Sequence, residues 1–405
     1  MPHNLYIIVQ EKLTGGAVTK KILNTFQNYI SATNKSLWVV CICISVFSVL
    51  LISSMQRSSN SDYAKTQLMA IILGYIGAII ISIIDYRFFI KHWIFSSVIG
   101  LSLLLSVFIF GMQVDGTDDT AWIQIGSITF QPSELVKIIF VITFAKHLTY
   151  LSESEKLKKF SSVAGLLLHA GIPMTIIHLQ GDDGAVLIFF MEFLFMCFVA
   201  GVPIRYFSIL FGGIIVGIPL IWTFFFNDEH RNRILALFDL DGNSMTDYAW
   251  QQYQGKVSIA SGKLSGYGLG KGPRVDYSIV PEQQNDFIFT VAGEELGFIG
   301  CVMILLLLFL LCLCIFITAK KSNDLCGRLI CYGVFAIISS QSIINIGMVL
   351  GLIPVIGITL PFFSAGGTSA MCLYLAVGLV QSVHTHNEFP DLVRIPFGQE
   401  NRRKI

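Results

Sequence analysis

Charge is what this chain has little of. Of its 405 residues only 13% are Asp, Glu, Lys or Arg, while 54% are hydrophobic, and the mean hydropathy is +0.70. A soluble domain carries about 25% charged residues, so an ordinary soluble globule is excluded. The ~10-residue alternating segments of a membrane barrel are missing as well. No Walker-type glycine loop is present, which argues against nucleotide-driven transport, and no histidine pair has metal-ligand spacing. Cys41, Cys43, Cys197, Cys301, Cys312, Cys314, Cys326, Cys331 and Cys372 show neither metal spacing nor a disulfide framework. They read as small packing residues in or beside apolar runs. Residues 1–36 lack the apolar core and small-residue site of a cleavable signal, so the first span is expected to be an uncleaved anchor. No clear internal repeat is found, and nothing points to nucleic acid.

What is there is a series of apolar runs near the ~20 residues that a helix needs to cross a bilayer. The expected fold is an all-α polytopic membrane protein of about ten transmembrane helices. The spans are expected near 37–54, 67–84, 93–111, 135–150, 162–179, 185–201, 206–226, 287–319, 329–350 and 369–384. Pro132 and Ser133 read as the start of span four, because proline suits a first helical turn. A kink is expected in span eight near Gly293 or Gly297. Between spans nine and ten, GLIPVIGITLPFFSAGGTS (351–369) is a Gly/Pro-interrupted re-entry, which membrane depth tolerates only when it is packed in protein or lines a cavity. Residues 1–36 form an N-terminal segment, in which KKILNTFQNYI is either an interfacial amphipathic helix or an unstructured tail. Residues 385–405 form a basic tail.

Residues 227–285 are the one long polar segment, too short for a typical domain and too long for a bare connector. Ten spans put both termini on one side. Eighteen of the 27 Lys and Arg residues fall on that side, including nearly all those in short loops, so it is expected to be cytoplasmic. The 227–285 loop, QGDDG (180–184), QPSEL (131–135) and PFFSAGGTS would then open outward together, where four irregular polar segments can build one extracytoplasmic site.

That face offers the carboxylates Glu134, Asp182, Asp183, Glu282 and Asp286, and the cations Lys137, Arg231, Arg233, Lys256, Lys263, Lys271 and Arg274. Both signs beside lipid suit an anionic lipid head group: cations hold phosphate, and a carboxylate acts as a base or holds a divalent cation. The plain alternative is that these charges solvate a loop. Asp286 stands where the polar loop enters span eight, in PEQQNDFIFTVAGEELGFIG (281–300), and is read as the reactive residue. Lys137 lies one turn beyond Glu134 on the same helix face, as either a buried ion pair or a ligand-binding pair. Glu192 is expected to pack against another polar group, and His169 and His178 read as satisfied core residues. SGKLSGYGLGKG (261–272) is a phosphate cradle, a flexible loop beside a pyrophosphate-bearing lipid, or a plain mobile loop.

Several motifs taken together resemble one family, the SEDS proteins (shape, elongation, division and sporulation) typified by RodA, FtsW and SpoVE. They are FQPSELVKI (130–138), QGDDGA (180–185), YQGKVSIASGKLSGYGLGKG (253–272), VPEQQNDFIFTVAGEELGFIG (280–300) and NIGMVLGLIPVIGITLPFFSAGGTS (345–369). NIGMV…GLIPVIG and SVHTH (382–386) look more like the RodA branch. The resemblance implies a ten-helix glycosyltransferase that polymerises lipid II outside the cytoplasmic membrane. Implied partners are a class B penicillin-binding protein and other elongasome or divisome membrane proteins. Asp286 matches the family's essential aspartate, Glu134 and Lys137 its QPSE–K element, and Asp182 the aspartate of its QPDxGT turn. Lys137, Arg231, Arg233 or a bound Mg²⁺ or Mn²⁺, with Asp286 and Asp182 as possible ligands, would balance the departing pyrophosphate. Lys256, Lys263, Arg274, Glu282 and Ser364 complete the substrate-binding candidates.

Departures from that pattern are confined to a few positions. Ala121 stands where the family usually has arginine, and Ser278 where it commonly has glutamate, with Asp276 nearby. The usual HTD reads Gln284-Asn285-Asp286, QPDxGT reads QGDDGA, and SYGG reads Ser364-Ala365-Gly366-Gly367. A lost arginine contact is worth about 1.5–3 kcal/mol. Three functions follow as expectations: a lipid II polymerase, a flippase of a lipid-linked precursor, and a weakly active scaffold that activates a transpeptidase.

Overall fold

The computed structural model describes residues 29–55, 63–113, 120–126, 128–226, 228–238 and 247–388. Apolar runs fold into helices here because a helix satisfies its own backbone polar groups, which lipid cannot do. The elements are α1 (Lys35–Met55), α2 (Tyr63–Ile83), α3 (Tyr86–Lys91), α4 (Trp93–Phe110), β1 (Gly111–Met112), β2 (Trp122–Ile125), β3 (Ile128–Phe130), α5 (Pro132–Glu153), α6 (Phe160–His178) and α7 (Asp183–Ala200). There follow α8 (Ile204–Leu220) with a π-helical turn (Ile221–Phe225), α9 (Asp228–Leu235), α10 (Asp247–Ser261), α11 (Pro273–Asp276), α12 (Ile288–Lys321), α13 (Leu325–Val349) and α14 (Gly367–Glu388). Among the described residues nine helices are long and apolar enough to cross a membrane: α1, α2, α4, α5, α6, α7, α8 with its π turn, α12 and α13. The span expected near 369–384 is present as α14, which carries the buried polar residues Gln381, Ser382, His384 and Thr385. Most of KKILNTFQNYI and of the C-terminal tail lies outside the described residues.

Helices α2 and α14 approach closely because small residues line their contact. A Cβ on Gly378 would lie 2.5 Å from the Ala78 carbonyl oxygen, and one on Gly74 would lie 2.7 Å from the Tyr374 ring. Such approach is the usual way membrane helices gain packing energy. Three short antiparallel strands, in the order β1-β2-β3, join α4 to α5. The segment 227–285 carries α9, α10 and α11 as its own elements.

Of the two glycines expected to kink span eight, Gly297 is the break. It adopts φ +67° and ψ −158° inside α12, a conformation costly for any residue with a Cβ. The glycine-rich loop 261–272 docks into that break. Phe298 N–H donates to the Lys263 carbonyl (2.8 Å) and Ile299 N–H to that of Leu264 (3.2 Å). In return Tyr267 and Gly268 N–H donate to the carbonyls of Glu294 (3.1 Å) and Glu295 (2.8 Å). The loop is thus docked on α12 by backbone bonds. It replaces the helical bonds that the break removes.

The segment between α13 and α14 is irregular, and polar side chains from the helices satisfy it. Gln252 Nε2 donates to the carbonyls of Met348 (3.0 Å) and Ile353 (2.8 Å). Asn345 Nδ2 donates to Ile358 (2.6 Å), Gln67 Nε2 to Phe362 (3.2 Å) and Ser48 Oγ to Phe363 (3.3 Å).

Gly297→Ala should lower the thermal unfolding temperature of the purified protein. A Cβ there would sit 2.5 Å from Gly266 N and 2.6 Å from the Leu264 carbonyl carbon, and an unfavourable φ alone costs about 1–3 kcal/mol. An unchanged melting temperature would show that the loop yields freely.

Candidate active site

Residues 281–287 form tight turns ahead of α12. Glu282, at φ +50°, organises them. Its carbonyl accepts from the N–H groups of Asn285 (3.0 Å) and Phe287 (3.2 Å), and its carboxylate accepts from Asn285 Nδ2 (2.7 Å). The next contacts fix three successive carbonyls. That of Gln284 accepts from Ala365 N–H (2.8 Å), that of Asn285 from Ser364 Oγ (2.6 Å), and that of Asp286 from Asn345 Nδ2 (2.7 Å). Helix α13 and the re-entrant segment thus hold the backbone at Asp286 from two sides. The half-buried Asp286 side chain lies against bare backbone, with Oδ2 3.7 Å from where a Cβ on Gly357 would stand.

Beneath the re-entrant segment sits a buried ion pair. Lys137 Nζ lies 2.9 Å from Glu134 Oε1, with the lysine side chain 2% exposed. Glu134 Oε2 accepts from Ser369 Oγ on α14 (3.1 Å). Glu192 on α7 is fully buried, and among the described residues no polar group stands within hydrogen-bond distance of its carboxylate, so the expected packing against a polar partner is not seen. His169 packs as expected, against His147 Nδ1 (3.1 Å) and Thr143 Oγ1 (3.2 Å).

The QGDDG turn uses its two acids differently. Asp182 caps α7 by accepting from Ala185 N–H (2.9 Å), and its other oxygen accepts from Gln131 Nε2 (2.7 Å) and Ser133 Oγ (3.2 Å). It ties QPSE to QGDD. Asp183 instead accepts from His178 Nδ1 (2.5 Å) and His230 Nε2 (2.9 Å). His178 is therefore not a core residue: its side chain is 63% exposed, because α6 ends there. His230 has no local sequence signal, since its partner is 47 residues away. Gly184 abuts the re-entrant backbone, where a Cβ would lie 2.9 Å from the Ile356 oxygen.

The fold separates the expected cations. Lys256 Nζ lies 3.4 Å from a Cβ placed on Gly351, and Arg233 Nη1 donates to the Val355 carbonyl (3.4 Å) while its guanidinium stacks 4.8 Å over Tyr248. Both flank the re-entrant segment, and Lys137 lies below it. Arg231 is turned to the carbonyls of Trp222 (3.0 Å) and Thr223 (3.4 Å). Arg274 binds Ser258 Oγ (2.8 Å) and Gln254, and its N–H donates to Glu294 (2.7 Å). Lys263 and Lys271 are exposed on the loop docked at Gly297. The structure brings none of these last four to the Asp286 turn.

Among the described residues no three His, Cys, Asp or Glu side chains gather into a metal site. Both Asp182 oxygens accept hydrogen bonds within the fold. One carboxylate supplies only part of the oxygen shell of Mg²⁺ or Mn²⁺, so these residues do not make a protein-only site.

The profile of the FtsW, RodA and SpoVE family, described as cell cycle proteins, matches residues 31–389. The chain belongs to that family. It is 31% identical over 353 residues to the probable peptidoglycan glycosyltransferase FtsW of Geobacter sp. (strain M18), covering 86% of this chain and 94% of that one. It is 28% identical over 352 residues to the peptidoglycan glycosyltransferase MrdB of Escherichia coli (strain K12), covering 86% and 93%. Among solved structures, one concerned with the coordination of polymerization and crosslinking by a peptidoglycan synthase complex contains a similar chain. It matches with a TM-score of 0.72 and 25% identity, over 87% of this chain and 97% of that one.

Breaking the buried pair on one side should cost more than removing it whole. Lys137→Met alone leaves Glu134 without its cation, and Glu134→Leu alone strands the lysine, each at about 3–5 kcal/mol. The double substitution should recover most of that in a thermal unfolding cycle. Additive losses would mean that the two residues do not act as a pair.

Proposed function

We propose that the chain is a peptidoglycan glycosyltransferase that polymerises lipid II, with the 227–285 end facing outward and both termini in the cytoplasm of a bacterial cell. Family membership supports the reaction class. The clamped backbone of residues 284–286 is the observation that carries the assignment of Asp286, because a base is useful only when held in one place. In the reaction a sugar hydroxyl of one lipid-linked disaccharide attacks the anomeric carbon of another. Asp286 accepts the hydroxyl proton as the new glycosidic bond forms. The bond to undecaprenyl pyrophosphate breaks, and the leaving group carries away the electron pair. Lys256 and Arg233, which flank the re-entrant segment, would hold the pyrophosphate in the bound substrate and as it leaves, so their loss would weaken binding more than turnover.

Lys137 and Glu134 act one layer deeper in this reading. Their ion pair sets the charge under the re-entrant segment and, through Ser369, the start of α14. A divalent cation at Asp286, completed by substrate oxygens, would add further neutralisation of pyrophosphate. The proposed partner is a class B penicillin-binding protein, which would crosslink the strands made here.

A flippase would need polar interruptions distributed along a path. Here the Asp286 turn bonds to the re-entrant segment and the QGDD turn packs against it at Ile356, and this gathering favours the polymerase. The scaffold reading keeps one point in its favour, the alanine at position 121 in place of the family's usual arginine.

Asp286→Asn should cut polymer formation from lipid II by about 10²–10⁴-fold, the usual contribution of a general base, while the variant still folds and binds its transpeptidase. Gel analysis of glycan strands from purified protein and partner, with and without Mg²⁺, provides the measurement. Undiminished polymer from the variant would sink the role of Asp286. Normal partner activation by a variant that makes no polymer would favour the scaffold.

A further inference from the structure

We propose that Asp183, His178 and His230 form a latch that positions α9, and through it Arg233, beside the Asp286 site. The proposal rests on the polymerase reading above and names three positioning residues for that site.

The latch joins three separate elements. Asp183 opens α7, His178 closes α6, and His230 lies in α9. Each carboxylate oxygen accepts from a different imidazole, Oδ1 from His178 Nδ1 at 2.5 Å and Oδ2 from His230 Nε2 at 2.9 Å. A carboxylate held by two ring N–H groups is fixed in direction as well as position. The neighbouring Asp182 is already committed to the α7 cap and to α5, so the two adjacent acids have separate tasks.

Helix α9 needs such a tether. It follows α8, none of whose described residues is fully buried and whose core contacts, through Tyr206, Phe207 and Leu210, lie in its first half. Arg231 bonds to carbonyls only eight and nine residues back, and His230 stacks on Phe226 with ring centres 5.5 Å apart. Those contacts travel with the helix. His230 and Arg233 instead join α9 to other elements: His230 to Asp183, and Arg233 to Val355 and Tyr248. Val355 stands two residues before Gly357, the backbone that faces Asp286, and Gly184, next to Asp183, touches that same stretch at Ile356. Hydrogen bonds and one close backbone approach, that of Gly184 to Ile356, therefore connect Asp183, His230, Arg233, Val355, Ile356 and Gly184 in a ring. Opening it at Asp183 would remove the contact by which His230 joins α9 to α7.

The experiment uses the full chain with its transpeptidase, supplied with lipid II. Asp183→Ala and His230→Ala should each raise KM about tenfold, the worth of one charge-assisted hydrogen bond, with kcat nearly unchanged. The double variant should show no further loss. The exchanged pair, Asp183→His with His230→Asp, should recover most of the affinity. Amide hydrogen exchange over residues 228–238, which needs no turnover, should speed up in the single variants and slow again in the exchanged pair. Wild-type exchange rates in both single variants, additive KM effects, or a fall in kcat alone would overturn the latch. If the wild-type chain makes no polymer, the polymerase reading fails, and hydrogen exchange still decides whether the latch exists.

Discussion

A single constraint governs this molecule: irregular backbone at membrane depth must find hydrogen-bond partners inside the protein. The segment between α13 and α14 is where that constraint is most demanding. Gln252, Asn345, Gln67 and Ser48 all aim side-chain donors at its carbonyls or at those that lead into it. An unmet buried carbonyl costs about 1–3 kcal/mol, so several polar residues in otherwise apolar helices are accounted for by this one segment. Asn345 shows the economy of the arrangement. The same amide group that satisfies Ile358 also holds the carbonyl of Asp286, so support of the fold and presentation of the carboxylate depend on one side chain.

The acids of the 281–300 stretch look alike in sequence and differ in what holds them. Glu282 folds the turn. Glu294 accepts from the N–H groups of Arg274 (2.7 Å) and Val275 (3.3 Å), which anchors α11 to α12. Asp286 is the one whose backbone is clamped from two sides while its carboxylate lies over a glycine. Rigidity of the backbone that carries it is what the proposed base would require. The same division of labour recurs at Asp182 and Asp183, where consecutive carboxylates point to different elements.

The spans were legible because hydrophobic length is a strong and local signal. Pro132 marked the start of α5, and Gly297 was one of two glycines expected to bend span eight. The three strands were not legible. They are two to four residues long, and such short runs carry no period. The docking of loop 261–272 into the Gly297 break was hidden for a different reason. Backbone bonds made across some thirty residues leave no mark on side-chain pattern. Glu134 and Lys137 could be paired from their spacing alone, whereas the Asp183–His230 contact depends on where a long polar segment returns. His178 was misread because a histidine at the end of an apolar run looks the same whether the helix continues or stops.

Two of the departures from the family pattern, at Ala121 and in QGDDGA, lie side by side. Thr120 N–H donates to the Gln180 carbonyl (3.1 Å), so Ala121, buried at 2% exposure, is held beside the QGDDGA turn. An arginine at that position would add a cation next to the turn. This chain has an alanine there instead, and it also has a second carboxylate, Asp183, in the turn itself. Taken separately, each change makes the local charge more negative, which would work against an anionic substrate. Taken together with His178 and His230 they form a different balance, in which two imidazoles donate to the extra acid. Asp183 is thereby partnered within the fold, so its charge does not stand open beside the turn.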